Sequence, residues 1–180
     1  MFSAAILNGG QATRFGGRDK SALLVDGRTI RDRQIAELSR VTTDILVVTR
    51  DIVPGCGPLG GLHTALTDAR GDAVFVVACD MPFIEAPLVQ YLLGLTSEAD
   101  VVVPCTERGY HPLCAAYTRS CLPAIGRRLA NRQLKMSELF ADVRTRLVTS
   151  DEIDRFGDRN RLLANVNTQA EYAGIQTHKL

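Results

Sequence analysis

The sequence of 180 residues is long enough for one domain with a substantial core and shorter than two domains usually need. Hydrophobic residues make up 46% of it, the balance of a globular protein in water. Because the formal net charge is only +1 and no apolar run is long enough to cross a bilayer, we expect neither a nucleic-acid partner nor a membrane one.

The first residues and the cysteines bear on location and metal content. Met1 is followed almost at once by an apolar run, without the pattern of a secretory signal, so we expect a cytoplasmic protein. The five cysteines form no Cys-x-x-Cys pair, and Cys79, Cys105 and Cys114 lie in or beside apolar runs. A reduced cysteine in such a run is a small buried hydrophobe, so we expect no zinc site.

Apolar runs typical of buried strands alternate along the chain with segments of helical spacing. The predicted strands are 4–7, 44–49, 73–78, 101–103, 113–117 and an edge strand at 145–148. The predicted helices are 29–41, 59–69, 86–95, 119–129, 135–140 and 169–175. This order indicates right-handed crossovers. We predict an α/β fold, a Rossmann-like three-layer sandwich with a mostly parallel sheet, in one domain over residues 1–180.

A glycine-rich loop between Leu7 and Lys20 follows the first predicted strand. Its glycines allow positive φ and bring backbone N–H groups close to an anion; they are Gly9, Gly10, Gly16 and Gly17. Arg14, Arg18 and Lys20 add full positive charges. The spacing matches neither a Walker loop nor the dinucleotide pattern. We interpret the loop as a nucleoside triphosphate site; the alternative is a surface turn whose basic residues face water.

Asp80 comes directly after the third predicted strand, at the edge of the sheet where the glycine loop is also expected. A carboxylate at this position can bind Mg²⁺ together with substrate phosphates. The alternative is a turn or cap before Pro82. Lys20 and Arg14 would neutralise charge on departing pyrophosphate, which suits attack on an α-phosphorus. Lys20, Arg14 and Asp80 are therefore the predicted catalytic residues.

Seven short motifs occur in the same order as in one known family. They are Leu7-Asn8-Gly9-Gly10, Arg14-Phe15-Gly16-Gly17, Asp19-Lys20, Gly57-Pro58-Leu59-Gly60-Gly61, Cys79-Asp80-Met81-Pro82, His111-Pro112 and Asn165-Val166-Asn167-Thr168. From residue 3 to about 174 the chain resembles the molybdenum cofactor guanylyltransferases. The resemblance implies a nucleotidyltransferase that uses Mg²⁺ to transfer GMP from GTP to the terminal phosphate of molybdenum-molybdopterin, releasing pyrophosphate. It also implies transient contact with cofactor-delivery or cofactor-insertion proteins.

The resemblance carries roles to matching positions. The implied nucleotide-binding residues are Leu7, Asn8, Gly9, Gly10, Lys20, Asp51 and Asp80, and Asp80 is also the implied magnesium ligand. Asp51 resembles an acid that recognises guanine. A carboxylate can accept from both N1–H and the 2-amino group of guanine, a donor pair that cytosine and uracil lack. The alternative for Asp51 is a solvated loop acid.

The acceptor side has weaker candidates. Asn165 and Asn167 could position phosphate, pterin or metal-bound water, and Arg108 and His111 could reach a cofactor phosphate. The alternatives are a helix cap for Asn167 and a surface turn at residues 107–111. Four basic residues are expected to form a solvated helix face, with a basic rim for a carrier protein or an anionic cofactor as the alternative. They are Arg127, Arg128, Arg132 and Lys135.

Two positions depart from the family pattern. Asn8 stands where the family usually has alanine, and its side chain could contact base or ribose or cap the turn. Arg50 is joined directly to Asp51, where family members usually have a further loop and short strand. Either the base pocket is shortened in this protein, or the printed sequence lacks a segment there.

Two other functions share these features. A molybdopterin cytidylyltransferase or a sugar-phosphate nucleotidyltransferase would have the same loop and acid, although the motifs at 16–20 and 57–61 look more like the guanylyl type. A non-catalytic module would bind nucleotide without releasing pyrophosphate. Lys20 and Asp80 argue against that module, because binding needs only the loop whereas catalysis needs the metal too.

Overall fold

The structure is a computed structural model and describes residues 1–8 and 20–166. Within them the strands are β1 Phe2–Leu7, β2 Leu24–Val25, β3 Arg28–Thr29, β4 Ile45–Val48, β5 Ala73–Ala78, β6 Val101–Thr106, β7 Gly109–Tyr110, β8 Cys114–Thr118 and β9 Thr145–Val148. The α-helices are α1 Ile30–Leu38, α2 Gly57–Asp68, α3 Ala86–Gly94, α4 Leu122–Ala130, α5 Ser150–Asp154 and α6 Arg159–Leu162. None of these described helices is long and apolar enough to cross a membrane.

The main sheet is built around β1, which pairs in parallel with β4 on one side and with β5 on the other. Leu7, the last residue of β1, is opposite Val48 of β4 and Ala78 of β5, so these three strands end at one edge. β8 pairs antiparallel with β5 and β6, and β6 pairs in parallel with the edge strand β9. The predicted α/β fold with a mostly parallel sheet is confirmed.

Helices cover both faces of the sheet because the central strands are apolar on both sides. Ile6 packs with Leu38 of α1 and Leu88 of α3 in one core. Its neighbour Ala5 packs with Leu62 of α2 in a second core on the opposite face. Alternate residues of β1 therefore serve different cores, as the two-residue period of a strand requires. The result is the predicted three-layer arrangement.

The predicted element positions agree with the structure along most of the chain. The run 73–78 is β5, and the predicted helix 29–41 is α1, whose cap is Thr29: its Oγ1 accepts from Asp32 N at 3.0 Å. Residues 119–129 differ, because a 3-10 turn, Arg119–Cys121, precedes α4. Residues 135–140 form a 3-10 helix, Met136–Ala141, rather than an α-helix. The predicted helix 169–175 lies outside the described residues.

A small hairpin of β2 and β3 was not predicted from apolar periodicity, because each strand has only two residues. Its turn is Asp26-Gly27, with φ of 53° and 77°. Asp-Gly favours this hairpin turn, in which both central residues have positive φ. Val25 packs with Phe83 and Val166 in a third, small core. The hairpin is thereby fixed against the chain that follows β5.

Candidate active site

Backbone hydrogen bonds bring together the chain segments that leave β1, β4 and β5. Asn8 N donates to Val48 O at 2.9 Å, and Cys79 N donates to Leu7 O at 3.2 Å. Asn8 is half-buried between the ends of the neighbouring strands. The positions after the three strands therefore face one edge of the sheet, as predicted.

The structure places Asp80 in contact with Asn165, a residue 85 positions further along the chain. Asn165 Nδ2 donates to Asp80 Oδ1 at 3.1 Å, and Val166 N donates to the carbonyl oxygen of Asp80 at 2.8 Å. The side-chain bond orients the carboxylate, while the backbone bond fixes the chain that carries it. Two residues predicted for the site on separate grounds therefore lie side by side.

Gln34 supports the Asp80 turn and was not among the predicted site residues. Its side chain is fully buried, and Nε2 donates to Ala78 O at 2.8 Å and to Met81 O at 3.0 Å. These carbonyls flank Asp80, so one amide group holds both sides of the turn. Its Oε1 is buried without a hydrogen-bond partner in the described part of the chain. The sequence signal was a polar residue on the buried stripe Ile30, Gln34 and Leu38 of α1.

Asp51 lies against the first turn of α2, close to the end of β1. A methyl group added at Gly60 would be 3.2 Å from Asp51 Oδ2, and one added at Gly61 would be 3.6 Å from Oδ1. No hydrogen bond joins the carboxylate to any described residue. Burial raises the pKa of Asp51 above its ordinary value. The carboxylate is thus partly removed from water and has its acceptor positions unused by the described protein groups.

The glycine pair at the start of α2 allows this close packing. A methyl group on Gly60 would also lie 3.0 Å from Cys56 Cβ and 3.1 Å from Val53 O, tighter than ordinary contacts. Thr64 Oγ1 accepts from Ile52 N at 2.9 Å and donates to Gly60 O at 3.1 Å. The Gly60-Gly61 motif therefore positions the Asp51 loop. This fully described stretch, residues 49–56, contains no strand between β4 and α2.

A sequence comparison identifies the family. The family model described as a MobA-like NTP transferase domain matches residues 4–145, most of the chain. The chain belongs to this family. The resemblance to molybdenum cofactor guanylyltransferases is confirmed by relatives with that name. One, from Desulfosudis oleivorans, is 30% identical over 92% of this chain and 90% of its own length. A probable member from Clostridium perfringens is 35% identical over 74% of each chain.

Solved structures show the same fold at lower identity. Molybdopterin-guanine dinucleotide biosynthesis protein A from Archaeoglobus fulgidus has a TM-score of 0.79 at 20% identity, with 97% of this chain and 96% of that chain covered. A 2-C-methyl-D-erythritol 4-phosphate cytidylyltransferase from Thermus thermophilus has a TM-score of 0.65 at 14% identity, with 98% of both chains covered. A MobA protein and a cytidylyltransferase therefore share this fold, so the fold by itself does not distinguish the two activities.

His111 lies at the end of the β6–β7 hairpin, in a small pocket lined also by Thr106, Arg159 and Asn160. Its Nε2 is 3.0 Å from Thr106 Oγ1. Burial lowers the pKa of His111, and the nearby Arg108 lowers it further. The ring is therefore neutral near pH 7 and offers a hydrogen bond rather than a charge. Neither Asp80 nor Asn165 lines this pocket.

The prediction of a solvated basic face is wrong for Arg128. This side chain is buried on α4, with Nε 2.6 Å from Asp142 Oδ2 and Nη1 3.2 Å from Glu138 Oε2. Two acids that follow α4 in sequence thus satisfy it, and its role is structural. Arg127, Arg132 and Lys135 are exposed as expected.

Some predicted site residues fall where the structure gives no description. Lys20 begins a 3-10 turn, Lys20–Ala22, but its side chain is not described. The others lie outside the described residues: Gly9, Gly10, Arg14 and Asn167.

Proposed function

We propose that the protein transfers GMP from GTP to the terminal phosphate of molybdenum-molybdopterin, forming the guanine dinucleotide cofactor and pyrophosphate. The observation that carries the proposal is the contact of Asp80 with Asn165 at the edge where β1 and β4 also end, in a chain of this family. Family membership suggests the reaction, and this contact suggests where it takes place.

Asp51 is proposed to recognise the guanine base. Its carboxylate has no hydrogen bond from the described residues and is partly buried, so a ligand with two adjacent donors would satisfy it. Guanine presents N1–H and the 2-amino group on one edge, whereas cytosine has no such pair. The packing of Asp51 on α2 fixes the direction from which the base would approach.

Asp80 is the proposed protein ligand for Mg²⁺. The described residues contain no group of three or more His, Cys, Asp and Glu side chains that could hold a metal. One carboxylate fits Mg²⁺ nevertheless, because this ion commonly takes its remaining ligands from water and substrate phosphates. When bound, it would neutralise charge on the triphosphate. The hydrogen bond from Asn165 keeps the Asp80 carboxylate oriented.

The remaining roles follow from position along the chain. Leu7, Asn8, Gly9 and Gly10 are proposed to wrap the nucleotide, while Arg14 and Lys20 neutralise departing pyrophosphate. On the acceptor side, Asn165, Asn167 and His111 are proposed to bind molybdopterin, with neutral His111 donating or accepting a hydrogen bond. The acceptor phosphate is ionised at neutral pH, so the attack requires no protein base.

Pyrophosphate release tests the proposal directly. GTP, CTP or UTP would be incubated with Mg²⁺ and a molybdopterin source, using the wild type, Asp80→Asn and the control Asp68→Asn, which removes an exposed acid at the end of α2. We expect pyrophosphate release to depend on the acceptor and to prefer GTP. The rate should fall at least 1000-fold in Asp80→Asn and stay unchanged in the control. A 1000-fold loss corresponds to roughly 4 kcal/mol of transition-state stabilisation. A preference for CTP would indicate a cytidylyltransferase. Binding of GTP without any release would indicate a non-catalytic module.

A further inference from the structure

A groove rich in arginine lies on the face of the protein covered by α1 and α3. Its volume is about 400 Å³. The lining residues of interest are four arginines, two glutamates and one aromatic residue: Arg28, Arg33, Arg40, Arg161, Glu37, Glu85 and Phe83. Four cations against two anions leave the groove positively charged, which favours an anionic ligand.

Two of the arginines already have acidic partners. Arg40 Nη1 donates to Glu37 Oε2 at 3.0 Å, and the same carboxylate oxygen accepts from Ala86 N at 2.9 Å. Arg33 lies 3.4 Å from Asp26 and donates to Pro82 O at 3.2 Å. The carboxylate of Glu37 is therefore satisfied within the fold and does not neutralise the rest of the groove.

The side chains of the other two arginines, Arg28 and Arg161, have no hydrogen bond or ion pair with any residue in the described part of the chain. Both side chains are exposed and both line the groove. Each guanidinium carries a rigid fork of N–H groups that matches the oxygens of a phosphate. Their two positive charges balance the two negative charges of one phosphate dianion.

Two of these cations lie against the ring of Phe83. The guanidinium carbon of Arg161 is 4.3 Å from the centroid of the ring, and that of Arg33 is 5.5 Å from it. The ring is fixed, because Phe83 is buried in the small core with Val25 and Val166. Two like charges near one ring repel each other, and an anion bound in the groove would reduce that repulsion.

We propose that this groove is a binding site for a phosphate group, gripped by Arg161 and Arg28 with support from Arg33. The proposal rests on the charges and contacts of the groove and holds whether or not the protein is a guanylyltransferase. The phosphate is either a free inorganic ion or the end group of a larger phosphate monoester, since the chemistry of the groove is the same for both.

The site connects to the Asp80 turn through the chain. Pro82 and Phe83 follow Asp80 in the same segment, and Arg161 lies on α6, shortly before Asn165. A phosphate that bridges Arg161 to Arg28 would tie α6 to the β2–β3 hairpin. Occupation of the groove would then restrain the segment that donates a hydrogen bond to Asp80.

Calorimetric titration with inorganic phosphate, and separately with phenyl phosphate, tests the site. The variant is Arg28→Gln/Arg161→Gln, and the control is Arg127→Gln, which removes the same charge from an exposed position on α4. We expect the affinity to fall at least tenfold in the double variant and less than twofold in the control. Phosphate binding at the glycine-rich loop would be unchanged by the double substitution. Only the part of the phosphate binding that the double variant loses is therefore assigned to the groove.

Two further variants keep the test decisive. Arg161→Lys retains the charge but not the fork, and should weaken binding by a smaller factor than the double variant. Arg28→Gln alone removes an exposed side chain without partners among the described residues, and should weaken binding even if the double variant folds poorly. Tighter binding of phenyl phosphate would identify a monoester as the ligand, and equal binding would identify the free ion. Equal affinity in wild type and variants, or no saturable binding below about 10 mM, would overturn the proposal.

Discussion

The two halves of the sheet are held together in different ways. Where β1, β4 and β5 end, the turns are fixed by neutral groups, chiefly the amide of Gln34 and the hydroxyl of Thr64. In the half built on β6, β8 and β9, acids are paired with arginines instead. Asp100 forms an ion pair with Arg144 at 3.0 Å, and Glu152 forms one with Arg146 at 2.5 Å.

The pKa of Asp51, beside the ends of β1 and β4, is shifted in the opposite direction to the pKa values of Asp100 and Glu152. The hydrogen bond from Arg144 lowers the pKa of Asp100 to about 2. Burial opposes ionisation of Glu152, yet hydrogen bonds from Arg146 and the Thr149 backbone lower its pKa to about 2. Burial raises the pKa of Asp51, which has no such partner among the described residues. An acid already paired with arginine serves the fold, whereas a buried acid without a partner is suited to a ligand.

The largest expected effect is at Gln34. Gln34→Met keeps the shape of the side chain but removes the donor to Met81 O and leaves Ala78 O with only the longer bond from Met81 N at 3.3 Å, which destabilises the fold by about 3 kcal/mol. Because these carbonyls flank Asp80, kcat should fall as well. Urea unfolding and pyrophosphate release measure the two effects. Gln133→Met, at an exposed position, should change neither. Unaltered stability in Gln34→Met would show that neutral groups do not hold this half.

The next largest effect is on nucleotide binding. Asp51→Asn should weaken GTP binding by about 2 kcal/mol, roughly 30-fold, because an amide can accept from only one of the two guanine donors. Stability should hardly change, since no described residue hydrogen-bonds to this carboxylate. Because burial raises the pKa of Asp51, GTP affinity of the wild type should fall on acidification at a higher pH than for an ordinary aspartate. Calorimetry at several pH values measures both; a pH-independent affinity would contradict the role.

Much of the fold was predictable because the central strands are unbroken apolar runs. Residues 73–78 have every side chain buried, and that burial is visible in the sequence itself. The contact between Asp80 and Asn165 was not predictable from spacing, because it depends on how α6 packs after β9. Arg128 was misassigned because a charged helix position shows its burial only when its partners, Glu138 and Asp142, are placed beside it.

A smaller effect is expected at the glycine pair. Gly60→Ala would push a methyl group to 3.1 Å from Val53 O and 3.2 Å from Asp51 Oδ2, so the fold should lose about 1 kcal/mol and GTP affinity should fall a few-fold. Gly126→Ala in α4 is the matched control. It meets nothing within 4 Å and should stabilise the protein by about 0.5–1 kcal/mol. Thermal unfolding with and without GTP measures stability and GTP binding in both variants. Equal stabilisation by Gly60→Ala and Gly126→Ala would contradict the close packing at Gly60.

The smallest effect lies in the ion-paired half. The pKa of Asp100 in the fold, about 2, is below its ordinary 3.8, so its pair with Arg144 stabilises the protein above about pH 4 and loses that contribution as pH falls towards 2. Solvent screening of the exposed Arg144 keeps this contribution small. Unfolding between pH 5 and pH 2 should show a steeper loss in the wild type than in Asp100→Asn, while Asp68→Asn should behave like the wild type. Equal pH dependence of unfolding in the wild type and Asp100→Asn would show that the ion pair does not stabilise the protein.

The hydrogen bond between Asn165 and Asp80 also has a consequence for protein synthesis. It joins residues 85 positions apart, so a ribosome must make nearly all of the described chain before the bond can form. The strands β1, β4 and β5 emerge much earlier and can begin to pair. A nascent chain that ends before Asn165 therefore lacks the hydrogen bond that orients Asp80, and the proposed transfer activity is expected only when synthesis has passed Val166.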